Sequence, residues 1–208
     1  MAAEIIRLPD EPSAIAEAAA VLARAFHQDP LCVFMVPNAD ERQRVLPKYF
    51  QKLVLWGLMF GEVFATAGEI TGVAVWISPD EPADAAERSR RVAWHELSAI
   101  VGADVVRRVR SVVGHERQVH DRDFPDPHWY LAQLGVDPEF QGRAIGGALM
   151  RPVTDKAAKS GLVCYLETEN PTNPKFYKRH GFELVREEIA PESGMKFWTM
   201  VRRPPSAP

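Results

Sequence analysis

The residues best suited to chemistry lie in two short stretches. The first reads Gln141-Gly142-Arg143-Ala144-Ile145-Gly146-Gly147, between an apolar run ending at Val136 and a segment of helical spacing. The first N–H groups of a helix are unpaired and lie at the positive end of its dipole, so a phosphate binds there if small residues let it approach. Gly142, Gly146 and Gly147 give that access, and Arg143 adds a permanent cation. A nucleotide P-loop would end in Lys-Ser or Lys-Thr, which this turn lacks. A dinucleotide turn needs Gly-x-Gly-x-x-Gly after the first strand of a βαβ unit, whereas this turn comes late and carries Ala144 at the second glycine position. Ala144 is expected in helical backbone, where alanine costs nothing. The second stretch runs from Asn170 to Phe182, with Asn173 as the expected N-cap, Pro174 at the first helical position and Tyr177 on the helix. Taken alone, Tyr177 is either a core aromatic beside Phe176 and Phe182 or a proton donor.

The rest of the chain bounds what these stretches can serve. The 208 residues are 46% hydrophobic, enough for one substantial domain over 1–208. The 25 basic and 28 acidic residues give a net charge of -3, so no broad cationic surface exists for nucleic acid and any bound anion is held locally. Cys32 and Cys164 each sit in an apolar run and read as buried thiols in a reducing compartment, with no disulfide framework and no metal site expected. The apolar run Ala14 to Phe26 contains Glu17 and Arg24, which argues against a signal peptide or a membrane span. A soluble cytoplasmic protein is the expectation.

The elements that must position these residues follow from spacing. A strand is expected at Glu4 to Leu8, then a helix capped by Ser13, running to Phe26 and ended by Asp29-Pro30. A second helix capped by Asp40 carries Val45, Tyr49, Leu53 and Trp56, with Pro47 near its start. Glu62 to Ala67 and Ile70 to Ile77 read as a hairpin turning at Gly68. A helical insertion over about 83–120, in two parts meeting near Gly102, buries Trp94, Leu97, Ile100, Val105, Val106, Val109 and Val113. Asp121 to His128 reads as a loop. Then come a strand Trp129 to Val136, the glycine turn, a helix to Ser160, a strand Leu162 to Glu167, the helix Asn173 to His180, a closing hairpin (Phe182 to Ile189, Met195 to Arg202) and a disordered tail over 203–208.

The pattern Gln141, Gly146 and the helix after them, followed by Asn173, Tyr177 and Gly181-Phe182, resembles the two signatures of the GNAT superfamily of acyl-CoA N-acyltransferases. Ala74-Val75-Trp76 with Pro79, Trp129-Tyr130-Leu131-Ala132 with Gly135-Val136, Leu166-Glu167-Thr168 and Phe176-Tyr177 are further similar to puromycin N-acetyltransferase and its relatives. The resemblance implies an α/β fold with a central, mostly antiparallel mixed sheet that splays between its fourth and fifth strands and is flanked by helices. It implies acetyl-CoA as cosubstrate, with no metal, and a primary amine on a small molecule as acceptor, in a monomer or homodimer. The pyrophosphate would lie on Gln141, Gly142, Arg143, Ala144, Ile145, Gly146 and Gly147. The pantetheine arm would pair with Leu134, Gly135 and Val136, with the acetyl carbonyl near the Val136 amide. Asn170 and Asn173 either contact that arm or cap the helix. Tyr177 would give a proton to the leaving thiolate, since a tyrosine of pKa near 10 keeps its proton where a thiol near 8.5 begins to lose it.

An amine attacks only when neutral, so a proton acceptor is needed as well. Asp29, Glu167, Glu169 and His128 are the candidates. Asp29 doubles as a turn former, Glu167 as a buried partner of Arg or Lys, and His120 and His128 as solvated loop residues. Trp56, Trp76, Trp94 and Trp129 read as core, although Trp56 with Met59 and Phe60 can wall an apolar pocket. A non-catalytic acyl-CoA sensor and a transferase acting on a protein or peptide amine are the competing readings.

Overall fold

A computed structural model describes residues 3–81, 90, 92 and 94–205, with Trp94 described by its backbone alone. Seven strands form one sheet in the order β1-β2-β3-β4-β5-β7-β6. They are β1 (Ile5–Arg7), β2 (Gly61–Thr66), β3 (Gly72–Ile77), β4 (Trp129–Val136), β5 (Cys164–Thr168), β6 (Glu183–Ile189) and β7 (Lys196–Arg202). Every seam is antiparallel except β4 to β5. The helices are α1 (Pro12–Ala25), α2 (Pro30–Met35), α3 (Ala39–Phe60), α4 (Leu97–Val101), α5 (Ala103–Asp123), α6 (Ile145–Lys159) and α7 (Asn173–Arg179).

Strand alternation sends side chains to two separate cores. Val73 and Val75 of β3 join Leu22, Leu46, Phe50 and Val54 beneath α1 and α3. Ala74 and Trp76 join Leu131, Leu149, Val153 and Leu166 beneath α6. At about 0.8 kcal/mol per buried CH₂, these two apolar layers fix which face each helix presents. Gly135 of β4 is the contact point for α1, since a Cβ there would lie 2.8 Å from Leu22 Cδ2 and 3.0 Å from Ala25 Cβ. This residue therefore seats a helix, whatever it also does for a ligand.

Several helix starts differ from expectation. Glu11 occupies the N-cap position of α1 without a side-chain bond, and Pro12 preorganises the first turn, so Ser13 lies inside the helix. Asn38, not Asp40, caps α3 by accepting from the Glu41 amide at 2.9 Å. Pro47 lies inside α3. α1 ends at Ala25, and Asp29 opens the short α2, which hydropathy did not separate from its neighbours. α5 continues to Asp123, three residues past His120, so the loop spans only 124–128. Gly102, at φ 94°, separates α4 from α5 as expected, and no side chain larger than glycine adopts that conformation readily. Val112 is buried in place of the exposed Val113. The start of the expected insertion, residues 83–89, 91 and 93, and the Trp94 side chain lie outside the described residues. Residues 206–208 of the expected tail do too, while Arg203 pairs with Glu183 at 2.9 Å.

Candidate active site

The site begins where the sheet opens. β4 pairs with β3 along its whole length, from Ile77↔Tyr130 to Gly72↔Val136. Against β5 it pairs only at Trp129↔Cys164 and Tyr130↔Tyr165. From Leu131 onward the β5-facing edge of β4 is unpaired among the described residues. Val75 and Trp76 of β3 face Gln133 and Leu131, so Ala132 is an extra residue, a bulge that reverses which way the following amides point. The Asp137 amide bonds to Thr71 O at 2.9 Å on the β3 side. Alternation then aims the amides of Leu134 and Val136 at the open edge. The Val136 carbonyl, on that same edge, accepts from Gln141 Nε2 at 3.0 Å. Gln141 thereby ties the end of the open strand to the glycine turn.

Gln141, Gly142, Arg143 and Ala144 are exposed, and Ile145 and Gly146 are buried at the start of α6. Arg143 stacks 5.0 Å from the Phe140 ring centroid and donates to Glu139 O. Ala144 is at φ 61°, ψ 12°, left-handed rather than helical, and is the non-glycine residue of positive φ among the described residues. The expectation of a strain-free alanine is therefore wrong: Cβ crowds the backbone here at a cost of roughly 1–2 kcal/mol. A Cβ on Gly146 would come 3.1 Å from Phe176 Cζ, and one on Gly147 would come 2.4 Å from His180 Cε1. These two glycines let α7 lie against α6, a role the turn motif does not announce.

α7 brings the second stretch to the same opening. Asn173 is the first residue of α7, not its cap, and its Nδ2 donates to Thr168 Oγ1 at 2.8 Å. Asn170 accepts from the Thr172 amide and hydroxyl in a local turn, away from the cleft lining. Tyr177 is 6% exposed and packs edge-on to Phe176 and Phe182. Its hydroxyl makes no hydrogen bond among the described residues, and its ring also lines the cleft, so the two readings of this residue coexist. Burial, then the charges of Glu169 and Asp29, raise its pKa above the usual tyrosine range.

The cleft, of about 160 Å³, lies between the open edge of β4 and helices α2, α3 and α5. It gathers Asp29, Glu167, Asn173, Tyr177 and Leu134 from the expected residues, together with Glu169. Asp29 caps α2 through the Leu31 amide at 3.0 Å, and burial, reinforced by Glu169, raises its pKa to about 7. Glu167 sits on β5, facing the same way as Tyr165 and opposite to Leu166. Burial raises it to about 8, opposed by the hydroxyls of Tyr130 and Tyr165. Among the described residues the Tyr165 hydroxyl has no partner at hydrogen-bonding geometry.

His120 and Glu116 complete the wall, and neither was expected there. His120 is 5% exposed and stacks on Tyr165 at 4.3 Å, with Nδ1 3.5 Å from Glu167 Oε1. Its Nε2 lies 2.6 Å from His128 Nε2, and His128 Nδ1 lies 2.7 Å from Asp126 O. A carbonyl only accepts, so His128 Nδ1 donates; burial lowers the pKa of His128 and favours the neutral ring, whose Nε2 then accepts from His120. This places a chain of proton-carrying groups from Glu167 towards the 124–128 loop, in place of two solvated histidines. The sequence signal was present: Val105, Val109, Val112, Glu116, Val119 and His120 are the buried stripe of α5, so a carboxylate and an imidazole occupy core positions of an amphipathic helix. Trp56 also lines the cleft and donates to Glu81, while Trp76 and Trp129 are core.

Residues 63–182, more than half of the chain, match the acetyltransferase (GNAT) family model. An uncharacterised N-acetyltransferase of Schizosaccharomyces pombe is 25% identical over 172 residues, which is 80% of this chain and 69% of that protein. Among other curated relatives the chain spans smaller shares, 22% and 51% of the full length in two cases. Among solved structures, a histone acetyltransferase HPA2 and related acetyltransferase from Corynebacterium glutamicum covers 100% of this chain and 99% of its own, with TM-score 0.71 and 23% identity. A polyamine N-acetyltransferase from Drosophila melanogaster covers 96% of this chain and 100% of its own, with TM-score 0.61 and 19% identity. At such identities the two structures show a shared fold.

Proposed function

The chain belongs to the acetyltransferase (GNAT) family, and we propose that it moves the acetyl group of acetyl-CoA onto the primary amine of a small molecule. The observation that carries this reading is the unpaired edge of β4. It leads from the glycine turn, which can hold a pyrophosphate on the first amides of α6, to the cleft lined by Tyr177 and Glu167. A pantetheine arm is an extended chain of amides, the kind of ligand that adds to such an edge. The neighbours' names run from histone to polyamine acceptors, so the acceptor class follows from the cleft rather than from the names. The reaction belongs in the cytoplasm, where Cys32 and Cys164 stay reduced; both are buried.

The residues divide the steps as follows. Glu167 or Asp29, with pKa values raised towards neutrality, takes a proton from the ammonium form of the acceptor. The neutral nitrogen attacks the thioester carbonyl, whose oxygen is stabilised by the Val136 amide. The C–N bond forms, the C–S bond breaks, and the sulfur takes the Tyr177 proton as CoA leaves. The attacking nitrogen then loses its second proton, which restores Tyr177, while the first passes from Glu167 through His120 and His128 and is released. Amine and acetyl-CoA become amide and CoA, with no covalent enzyme intermediate; Cys164 is buried in β5.

A panel of puromycin and other aminonucleosides, polyamines, aminoglycosides and peptides with acetyl-CoA tests the reaction. The Tyr177→Phe variant is expected to lose about 100-fold in kcat while holding acetyl-CoA with affinity within about twofold. Unchanged activity in that variant at every pH removes Tyr177 from the chemistry. Tight acetyl-CoA binding with no acetylation anywhere in the panel favours a sensor instead.

A further inference from the structure

Four carboxyl groups line the cleft: Asp29 at the start of α2, Glu116 on α5, Glu167 on β5 and Glu169 just beyond it. Glu116 is 5% exposed, and its Oε1 has no hydrogen-bond partner among the described residues. Burial, then the charge of Glu169, raises its pKa well above the usual carboxylate range, with Glu167 and Asp29 adding to the effect, so the four groups form one electrostatic cluster. Arg117, the permanent cation on the lining, is held by Asp121 on the outer side at 2.8 Å. Among the described residues no group is arranged as a metal-binding set. Phe26, Tyr49, Phe50, Trp56 and Tyr130 supply aromatic walls, and Leu31, Leu53 and Leu134 supply aliphatic ones.

A single transferable amine needs one carboxyl as proton acceptor. The remaining carboxyls, one of them buried with an unsatisfied oxygen, are costly unless a ligand meets them. Aromatic faces attract cations, and aliphatic walls suit a methylene spacer. We propose that the acceptor is an aliphatic amine carrying a second positive charge, a diamine, polyamine or aminoguanidine, whose remote cation is bound by Glu116 together with Glu169. This rests on the acetyl-transfer reading for the reaction and adds the substrate class. Cation binding would draw the raised carboxyls into their ionised form and expel their protons.

Cadaverine and pentylamine, equal in length and differing by one charge, make the test. With wild-type protein and acetyl-CoA, kcat/KM for cadaverine should exceed that for pentylamine by about tenfold or more, mostly through KM. In Glu116→Gln, and again in Glu169→Gln, that ratio should fall by about tenfold. Calorimetric titration of each amine without acetyl-CoA should show the same preference and the same loss, with thermal melts confirming that each variant is folded. Equal handling of the two amines by the wild type, or a ratio unchanged in both variants, overturns the proposal. Absence of acetyl transfer to any amine, with selective cadaverine binding intact, overturns the transferase reading and leaves the dicationic site standing. Absence of that binding overturns the site itself.

Discussion

The two walls of the opening are built differently. On the cofactor side, the parts are local in sequence: β4, a turn and the first residues of α6, joined by the bond from Gln141 to Val136 O. That side works with backbone amides and one arginine, and it buries no unpaired charge among its described residues. On the acceptor side, Asp29, Glu116, Glu167 and Glu169 come from elements spread over more than half the chain, and they are crowded into one cleft. In the proposed complex a pyrophosphate meets backbone amides and one permanent cation, whereas a cationic acceptor meets carboxyls of which Asp29, Glu116 and Glu167 are raised above the usual range by burial.

The largest expected effect tests that difference through pH. Asp29, Glu116 and Glu167 have folded pKa values raised above those of the unfolded chain, with Asp29 at about 7 and Glu167 at about 8. The folded state therefore holds protons that the unfolded state has released from about pH 4 upward. Stability of the protein without acceptor should fall as pH rises from about 4 to about 7 through Asp29 and to about 8 through Glu167, by up to about 1.4 kcal/mol per pH unit for each, with Glu116 adding to the fall in the same direction. Denaturant unfolding across this range checks it; a curve flat or rising over the window would show that the acceptor wall is no more costly than the other.

Glu167→Gln is next. Because kcat/KM reports the free enzyme, the wild-type value should rise as pH approaches about 8, where Glu167 ionises. The variant should lose about 100-fold and the rise with it, while acetyl-CoA binding is retained. A retained pH limb would shift the role of proton acceptor to Asp29. Arg143→Ala should do the reverse, weakening acetyl-CoA by about tenfold, in a salt-dependent manner, with little change in acceptor KM. Calorimetry at two ionic strengths measures this. The smallest effect is Ala144→Gly, which relieves the left-handed alanine and should raise stability by up to about 1 kcal/mol in thermal melts. A loss of stability there would mean that the turn gains more from the alanine's restriction of the unfolded chain.

The contrast also explains what was legible in the sequence. Trp129 to Val136 is legible to the residue as β4, and so is the turn between it and the helix that follows, because each depends on neighbours in the chain. The backbone angle of Ala144 was missed because a residue type gives a preference and the turn's closure overrides it. Asn173 was expected to cap its own helix and instead bonds Thr168, a partner set by how β5 meets α7. Asp29 and Glu167 were candidates without a common location. Glu116 went unread and His120 was read as a solvated loop residue, although their place in the valine stripe of α5 marked them, since only packing shows that the stripe turns from core to cleft along one helix.

Acetyl-CoA is proposed to lie along the open edge of β4 and on the first turn of α6. Hydrogen exchange read residue by residue, with and without saturating CoA, tests it directly. Slowed exchange is expected at the Leu134 and Val136 amides and across 142–147, groups that no strand or helix partner protects among the described residues. Protection elsewhere with no change at Leu134, Val136 and the turn would contradict it.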